Sequence, residues 1–92
     1  MIEESVIVKS SVGLHARPAA LFVQEANKYQ SKIMVSNNDR CANAKSILGV
    51  LGIGAGKGAK ITIRAEGTDE QEAVGNLVKL VMVDHTDIMM EE

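Results

Sequence analysis

The segment Lys60–Glu66 alternates between polar and apolar side chains without a break. Its apolar members are Ile61, Ile63 and Ala65. Successive side chains of a β-strand point to opposite faces, so this pattern predicts a strand with one buried face and one solvated face. A shorter alternation in Ser5–Lys9 predicts another strand of the same kind. The apolar face of a sheet made of such strands must be buried against helices or a second sheet, and this requirement limits the folds that the chain can adopt.

Helical periodicity marks the segments that would cover this sheet. Apolar residues recur at helical spacing after residue 18, which predicts a helix that buries Phe22 in the core. The stretch Ser46–Ile53 is apolar but brief and interrupted by glycine, so it predicts only a short helix. Thr68 followed by Gln71 fits a capping box and predicts the start of the last helix. The apolar stripes consist of Ala19, Phe22, Val23 and Ala26 in the first helix and of Ala73, Val74, Leu77 and Val81 in the last.

Two further strands are expected to form a hairpin. Ile33 and Val35 occupy alternate positions of one strand, residues 37–39 have the composition of a tight turn, and the partner strand follows in Arg40–Asn43. The element order βαββαβα predicts an α+β fold, an open-faced two-layer sandwich in which an antiparallel four-stranded sheet carries three helices on one face. We expect residues 1–92 to form a single domain, with 83–92 as a frayed C-terminal extension.

The composition argues against several classes of function. Ten basic against twelve acidic residues give a net charge of −2, and only 2% of the residues are aromatic, which does not favour direct nucleic-acid binding. Cys41 is the only cysteine, so we expect a small residue in a strand and neither a disulfide nor a cysteine metal cluster. The first residues are acidic, and no apolar run approaches transmembrane length. We expect a cytoplasmic protein without membrane insertion, metal site or cofactor.

The run 13–20 places a histidine and an arginine where a loop becomes a helix. The first amides of a helix lack intrahelical acceptors and carry partial positive charge, so anions bind there. If His15 is the N-cap, the amides of Ala16 and Arg17 are the donors nearest its ring. Pro18 then falls in the first turn, where its missing N–H costs nothing. A neutral imidazole can attack phosphorus, and a guanidinium matches phosphate oxygens. The alternative is a capping histidine beside a solvated arginine.

Ser46 precedes the short helix and is predicted to be its N-cap, because a serine hydroxyl accepts a hydrogen bond from an amide of the first turn. That structural role is sufficient, but a phosphoserine would also be tolerated there because the helix dipole and the first amides receive its charge. After it, Ile47, Leu48 and Leu51 share one side of the helix. These residues pack in the core or leave part of this side exposed as a docking patch beside His15.

Residues 13–19, Gly-Leu-His-Ala-Arg-Pro-Ala, resemble the active-site motif of the histidine-containing phosphocarrier protein (HPr) family of the phosphoenolpyruvate-dependent sugar phosphotransferase system. The resemblance extends from Val6 to Val81 and includes the order of strands and helices. It implies that His15, assisted by Arg17, accepts a phosphoryl group from enzyme I and passes it to the sugar-permease component IIA. Such a protein is a covalent relay with a phosphohistidine intermediate rather than an enzyme. The resemblance also implies a partner-binding face that contains Ala20, Ile47, Leu48 and Leu51.

The surroundings of Ser46, in residues 43–47 and 55–59, are similar to the regulatory region of HPr proteins from Gram-positive bacteria. This similarity implies phosphorylation of Ser46 by HPr kinase/phosphorylase and a part in catabolite repression through a catabolite control transcription factor. The chain departs from the family pattern in residues 52–54, which are richer in glycine, and in a longer tail after Val81.

Two other functions compete with that of a carrier. One is a purely regulatory HPr-like module that docks on a transcription factor or metabolic enzyme and is switched at Ser46, and the other is a small ligand-binding domain. The segment 54–59 matches a dinucleotide-binding fingerprint in its residues, but it follows a helix and precedes a strand, the reverse of the required order, so it predicts a flexible turn. His85 lies in the polar tail and is expected to be solvated.

Overall fold

The computed structural model describes residues 1–10 and 12–83 of the chain. Its elements follow the predicted order: β1 (Ile2–Ile7), α1 (Ala16–Ala26), β2 (Lys32–Asn37), β3 (Arg40–Asn43), α2 (Ile47–Gly52), β4 (Lys60–Glu66) and α3 (Glu70–Met82). The strands form one antiparallel sheet in the order β1-β4-β2-β3, so the last strand lies between the first and the second. The predicted α+β fold is confirmed. The predicted frayed extension lies outside the described residues, apart from Val83.

One face of the sheet forms the core together with the helices. The inward side chains of β2 and β4 are fully buried, and α3 packs against β1 and β4 while α1 packs against α2 and α3. This arrangement confirms the strand faces predicted from the alternation and the core position of Phe22. The fully buried strand residues are Ile33, Val35, Ile61, Ile63 and Ala65, and Val6 of β1 is buried as well. No helix within the described ranges is long and apolar enough to cross a membrane.

The first strand begins earlier than predicted. The sequence pattern predicted it in Ser5–Lys9, whereas β1 spans Ile2–Ile7 and therefore also ends two residues earlier. Its first residue, Ile2, pairs with Ala65 of β4. On the solvated face, Arg64 of β4 donates to the carboxylate of Glu3 with an Nη2–Oε1 distance of 2.7 Å. The prediction of the strand's start was wrong because the first residues are held by cross-strand pairing, which a local alternation does not reveal.

The capping box predicted at Thr68 and Gln71 is also wrong. The N-cap of α3 is Asp69, and its side chain makes no cap hydrogen bond. Its carboxylate instead accepts bonds of 2.9 Å from the amide of Gln30 and 3.0 Å from the amide of Ser31, together with a bond from the Ser31 hydroxyl. The start of α3 is therefore tied to the loop between α1 and β2, a tertiary contact that overrides the local capping pattern.

The hairpin between β2 and β3 has the turn that its sequence predicts. Asn38 adopts φ +58°, in the left-handed region that asparagine tolerates better than most residues. Cys41 lies in β3 and is exposed, in agreement with its expected place as a small residue in a strand. α1 ends at Ala26 with Asn27 as its C-cap.

Candidate functional site

His15 stands at the N-cap of α1 in an extended conformation, with φ −128° and ψ 163°. Its carbonyl accepts a 3.4 Å hydrogen bond from the amide of Ala19, which closes the first turn. The predicted N-cap position is therefore confirmed. The imidazole, however, makes no capping hydrogen bond, and the residue is exposed. The ring is thus accessible to a group that approaches from solvent.

Ala16, the first residue of α1, has φ +49° and lies in the left-handed region. An L-residue with a Cβ atom adopts this conformation at a cost of about 1–2 kcal/mol. Strained residues of this kind concentrate at functional sites, where the surrounding structure holds them in place. No sequence pattern predicts the conformation, because alanine has no local side-chain bond that would favour it.

The first turn of α1 has an exposed side and a buried side. Arg17 is exposed, like His15, while Pro18 and Ala19 are buried. Pro18 lies in the first turn as predicted, where no intrahelical bond requires its missing N–H. The structure thus brings His15, Arg17 and the amide-bearing end of α1 to one exposed place. Negative charge is favoured at such a helix end.

The residues before His15 rest on the loop between α2 and β4. The amide of Leu14 donates a 2.8 Å hydrogen bond to the carbonyl of Ala55, and both residues are buried. Gly13 has φ +71°, and a Cβ atom on it would lie 2.5 Å from the Ala55 carbonyl oxygen and 2.7 Å from the Cα of Gly56. This contact was not predicted from the sequence. The one feature of the sequence that indicates it is the glycine at position 13, where a side chain would not fit.

Ser46 is the N-cap of α2, and its hydroxyl accepts a 3.1 Å hydrogen bond from the amide of Gly49. This confirms the predicted capping role. The preceding residue, Lys45, accepts a 3.3 Å bond through its carbonyl from the side-chain amide of Asn27, the C-cap of α1. Ser46 therefore lies near the C-terminal end of α1, whereas His15 lies at the N-terminal end. The two predicted sites are separate.

The predicted docking patch lies on α2, which leads from Ser46 toward the loop beneath Leu14. Ile47 is 41% exposed and Leu48 is 80% exposed. Leu51 is half-buried and packs against the core, and Ala20 of α1 is half-buried as well. The outer residues of the patch are exposed and its inner residue contributes to the core, so both expectations about burial hold in part. Docking of a partner at this face stays a prediction.

A polar cluster holds the end of α1 that lies near Ser46. The hydroxyl of Tyr29 donates a 2.6 Å hydrogen bond to Glu25 and accepts one of 2.6 Å from the side-chain amide of Asn76 in α3. The Tyr29 hydroxyl holds the pKa of the Glu25 carboxyl below its usual value. Burial, and then the bond to Glu25, raises the pKa of Tyr29. These shifts belong to the packing of α1 against α3, at the other end of α1 from His15.

The remaining candidates from the sequence lie apart from this site. Within residues 1–10 and 12–83, no group of three or more His, Cys, Asp or Glu side chains is arranged to hold a metal ion. The glycine-rich segment 54–59 connects α2 to β4 and contains a turn at residues 57–58, as predicted. His85 lies outside the described residues.

The fold and the site together define a small α+β protein that presents a histidine and an arginine at an exposed helix start. The family model described as the PTS HPr component phosphorylation site matches residues 2–82. The chain therefore belongs to the HPr family of phosphocarrier proteins, in its Gram-positive form. This confirms the resemblance read from residues 13–19, and it classes the protein as a carrier rather than a catalyst.

Individual relatives agree with this membership. The HPr-like protein Crh of Halalkalibacterium halodurans is 48% identical over 81 residues, which are 88% of this chain and 96% of that protein. The crystal structure of a phosphocarrier protein HPr from Bacillus anthracis is 43% identical with a TM-score of 0.86, covering 88% of this chain and 96% of that one. The solution structure of Crh, the catabolite repression HPr of Bacillus subtilis, is 40% identical with a TM-score of 0.62, covering 87% and 95%.

Proposed function

We propose that this protein is a phosphoryl carrier of the phosphoenolpyruvate-dependent sugar phosphotransferase system and that it works in the cytoplasm. His15 takes a phosphoryl group from enzyme I and gives it to the sugar-permease component IIA. The observation that carries the proposal is the exposed imidazole of His15 at the start of α1, which is not used as a helix cap. Membership of the HPr family supports the same role.

In the first step, a nitrogen of the neutral His15 ring attacks the phosphorus of phosphorylated enzyme I. A nitrogen–phosphorus bond forms while the bond from phosphorus to the donor atom breaks, and the donor keeps that electron pair. The onward step is the same displacement, with the acceptor group of component IIA as the nucleophile and the imidazole as the leaving group. The second ring nitrogen keeps its hydrogen in the attacking form of the ring.

The start of α1 supplies the groups that receive the phosphoryl oxygens in this proposal. The amides of Ala16 and Arg17 belong to the helix end that attracts anions. The guanidinium of Arg17 adds a permanent positive charge with planar geometry that matches phosphate oxygens. These groups stabilise charge during transfer without themselves forming a covalent bond to phosphorus.

A carrier must be approached by different partner proteins in turn, and it needs an exposed face for this purpose. We assign that face to Ile47 and Leu48, with contributions from Ala20 and Leu51 at its inner edge. The exposure of the first two residues supports this assignment. The binding energy of an interface is concentrated in a few residues near its centre, from which the partner excludes water.

We extend the proposal to regulation at Ser46 by HPr kinase/phosphorylase. A phosphoryl group there adds a charge of about −2 at neutral pH. The new charge lies at the start of α2, next to Ile47 and Leu48. It repels partners that present acidic groups to Arg17, and it provides a recognition feature for a catabolite control transcription factor.

The second candidate is a purely regulatory module that docks on a transcription factor or a metabolic enzyme. The observation that favours it is the similarity to Crh proteins, one of which is described as a catabolite repression HPr. In this alternative, Ser46 is the modified residue and His15 does not pass a phosphoryl group to another protein.

Transfer to component IIA distinguishes the two candidates. The protein is labelled with radioactive phosphoenolpyruvate and enzyme I, freed from enzyme I, and mixed with component IIA. The carrier proposal predicts that label leaves this protein and appears on component IIA, with no transfer from the His15→Ala variant. The regulatory module would be favoured if no label appears on component IIA and the Ser46-phosphorylated protein binds a transcription factor.

A further inference from the structure

We propose that the main chain of Ala55–Gly56 is a positioning element for His15. Through Gly13 and Leu14, this segment fixes the place at which the imidazole meets a phosphoryl donor. Neither Ala55 nor Gly56 has a side chain that could take part in the chemistry, so the effect is exerted through the backbone. The inference rests on the proposed function, because its tests measure the rate at which His15 is phosphorylated.

The first support is the hydrogen bond from the Leu14 amide to the Ala55 carbonyl, at 2.8 Å. Leu14 is 3% exposed and Ala55 is fully buried, so the bond is shielded from water. A shielded bond between backbone groups is stronger than a solvated one. Leu14 directly precedes His15, and the bond therefore fixes the main chain at the point where the histidine begins.

The second support is the close approach at Gly13. Its amide donates a 3.0 Å hydrogen bond to the carbonyl of Ser10, and its φ of +71° turns the chain toward the loop. A Cβ atom at this position would lie 2.5 Å from the Ala55 carbonyl oxygen and 2.7 Å from the Cα of Gly56. Because both of these are backbone atoms, no side-chain rotation relieves the contact, and one of the two segments would have to move.

The loop itself is held by other elements, so it can act as a fixed reference. The carbonyl of Ile53 accepts a 3.0 Å hydrogen bond from the side-chain amide of Asn37 in β2. At the other end of the loop, the carbonyl of Ala59 accepts a 2.9 Å bond from the amide of Val8. The position of the main chain before His15 is therefore set with respect to the sheet, and not only by α1.

This arrangement matters because the His15 ring makes no capping hydrogen bond that would fix it. Its position follows from the course of the main chain on either side, including the left-handed conformation of Ala16. A misplacement of about 1 Å between reacting groups can reduce a transfer rate by a factor on the order of 100. Displacement of Gly13 and Leu14 from the loop should therefore slow the chemical step.

The first test compares two glycine substitutions of similar backbone strain. Gly13→Ala introduces the clash with Ala55–Gly56, whereas Gly58→Ala, with φ +87°, has no atom within 4 Å of the added Cβ. We expect Gly13→Ala to lower the kcat of His15 phosphorylation by enzyme I on the order of 10- to 100-fold with KM unchanged. Gly58→Ala should keep the kcat and KM of the parent. Equal kcat values in folded Gly13→Ala and parent protein contradict the proposal.

The second test removes the hydrogen bond without adding an atom, and it remains informative if Gly13→Ala fails to fold. Semisynthesis introduces leucic acid in place of leucine at Leu14. The peptide N–H that donates to the Ala55 carbonyl is then replaced by an ester oxygen, which cannot donate. The control is lactic acid in place of Ala73, whose amide donates a 2.9 Å bond to the Asp69 carbonyl in α3. Both esters should lower the thermal midpoint, but only the ester at Leu14 should lower kcat. A parent kcat in the folded Leu14 ester overturns the proposal.

Phosphoramidate separates this inference from the proposed function, because a small donor requires no docking surface. Its P–N bond breaks, a P–N bond to His15 forms, and ammonia leaves. If enzyme I fails to label the parent protein, the carrier proposal fails, and positioning is then judged from the phosphoramidate rate. Slower labelling of Gly13→Ala and of the Leu14 ester than of their controls supports the positioning role, and equal rates overturn it.

Discussion

The side-chain ammonium of Lys45 donates a 2.6 Å hydrogen bond to the main-chain carbonyl of Tyr29. The hydroxyl of the same tyrosine joins α1 to α3 through Glu25 and Asn76. The residue directly before Ser46 is therefore anchored to the polar cluster at the end of α1. α2 has only six residues, too few for a helix that is stable alone. This anchor helps to hold its N-cap in place.

Removal of the Lys45 ammonium should destabilise the domain. Lys45→Met keeps most of the length of the side chain but leaves the Tyr29 carbonyl without this donor, so we expect the free energy of unfolding to fall by about 1–2 kcal/mol. Lys28→Met is the control, because the Lys28 ammonium pairs with Glu25 at the surface with 67% of its side chain exposed, and its loss should cost at most about 0.5 kcal/mol. Urea unfolding measures both values. An equal loss in the two variants would mean that the Tyr29 bond contributes nothing specific.

Two substitutions at Ser46 should separate its capping role from its regulatory role. Ser46→Ala loses the bond from the Gly49 amide and should cost at most about 1 kcal/mol of stability, with His15 phosphorylation near the parent rate. Ser46→Asp should keep the fold, because an acid is favourable at a helix N-terminus, and should slow phosphorylation of His15 by weakening docking. Rates and thermal midpoints are measured for both variants. A folded Ser46→Asp variant with the parent rate would leave Ser46 with only its capping role.

Arg17 should affect the rate of transfer more than the stability of the fold. Arg17→Ala removes a fixed positive charge beside the transferred group, and loss of one such donor is worth on the order of 3 kcal/mol in activation free energy. Arg17→Lys should restore the rate only in part, because an ammonium lacks the planar fork. Single-turnover phosphorylation measures the rate, and circular dichroism monitors the fold. Unchanged kinetics in folded Arg17→Ala would mean that Arg17 takes no part in the transfer.

The bonds to Asp69 should make stability depend on pH in the acidic range. The Ser31 hydroxyl, and then the Gln30 amide, hold the pKa of the Asp69 carboxyl below its usual value of about 4. The folded state therefore favours the ionised form, and the stabilisation is present above the unfolded pKa and is lost as pH falls through the folded pKa. The thermal midpoint of Asp69→Asn should vary less with pH there than that of the parent, with Ser31→Ala intermediate. Parallel curves for all three proteins would contradict this assignment.

The fold was predictable where the relevant pattern was local. Alternation in Lys60–Glu66 identified β4, and helical spacing identified the buried side of α1 with Phe22 at its centre. The start of β1 and the N-cap of α3 were mispredicted because each depends on a partner distant in the chain. Ile2 pairs with Ala65, and the Asp69 carboxylate binds the loop after α1 instead of its own helix.

The placement of His15 and Arg17 at the start of α1 was predictable from the sequence, whereas the backbone contacts around them were not. His15 and Arg17 could be identified from the motif and from the chemistry of a helix start, and the structure places them together. The left-handed Ala16 and the contact of Gly13 with Ala55 could not be predicted. The Gly13 contact depends on how a loop distant in sequence packs beneath the motif, and hydrophobic periodicity carries no information on such packing. The conformation of Ala16 has no local side-chain bond that would predict it.

Intact mass spectrometry shows whether His15 carries the phosphoryl group. The parent, His15→Ala and His85→Ala proteins are incubated with phosphoenolpyruvate and enzyme I, and each is weighed before and after acid treatment. Because the chain has two histidines, His85→Ala is the matched control. We predict that the parent and His85→Ala gain the mass of one acid-labile phosphoryl group and that His15→Ala gains none. A gain retained by His15→Ala, or no gain by the parent, would contradict the role of His15 as the phosphoryl carrier.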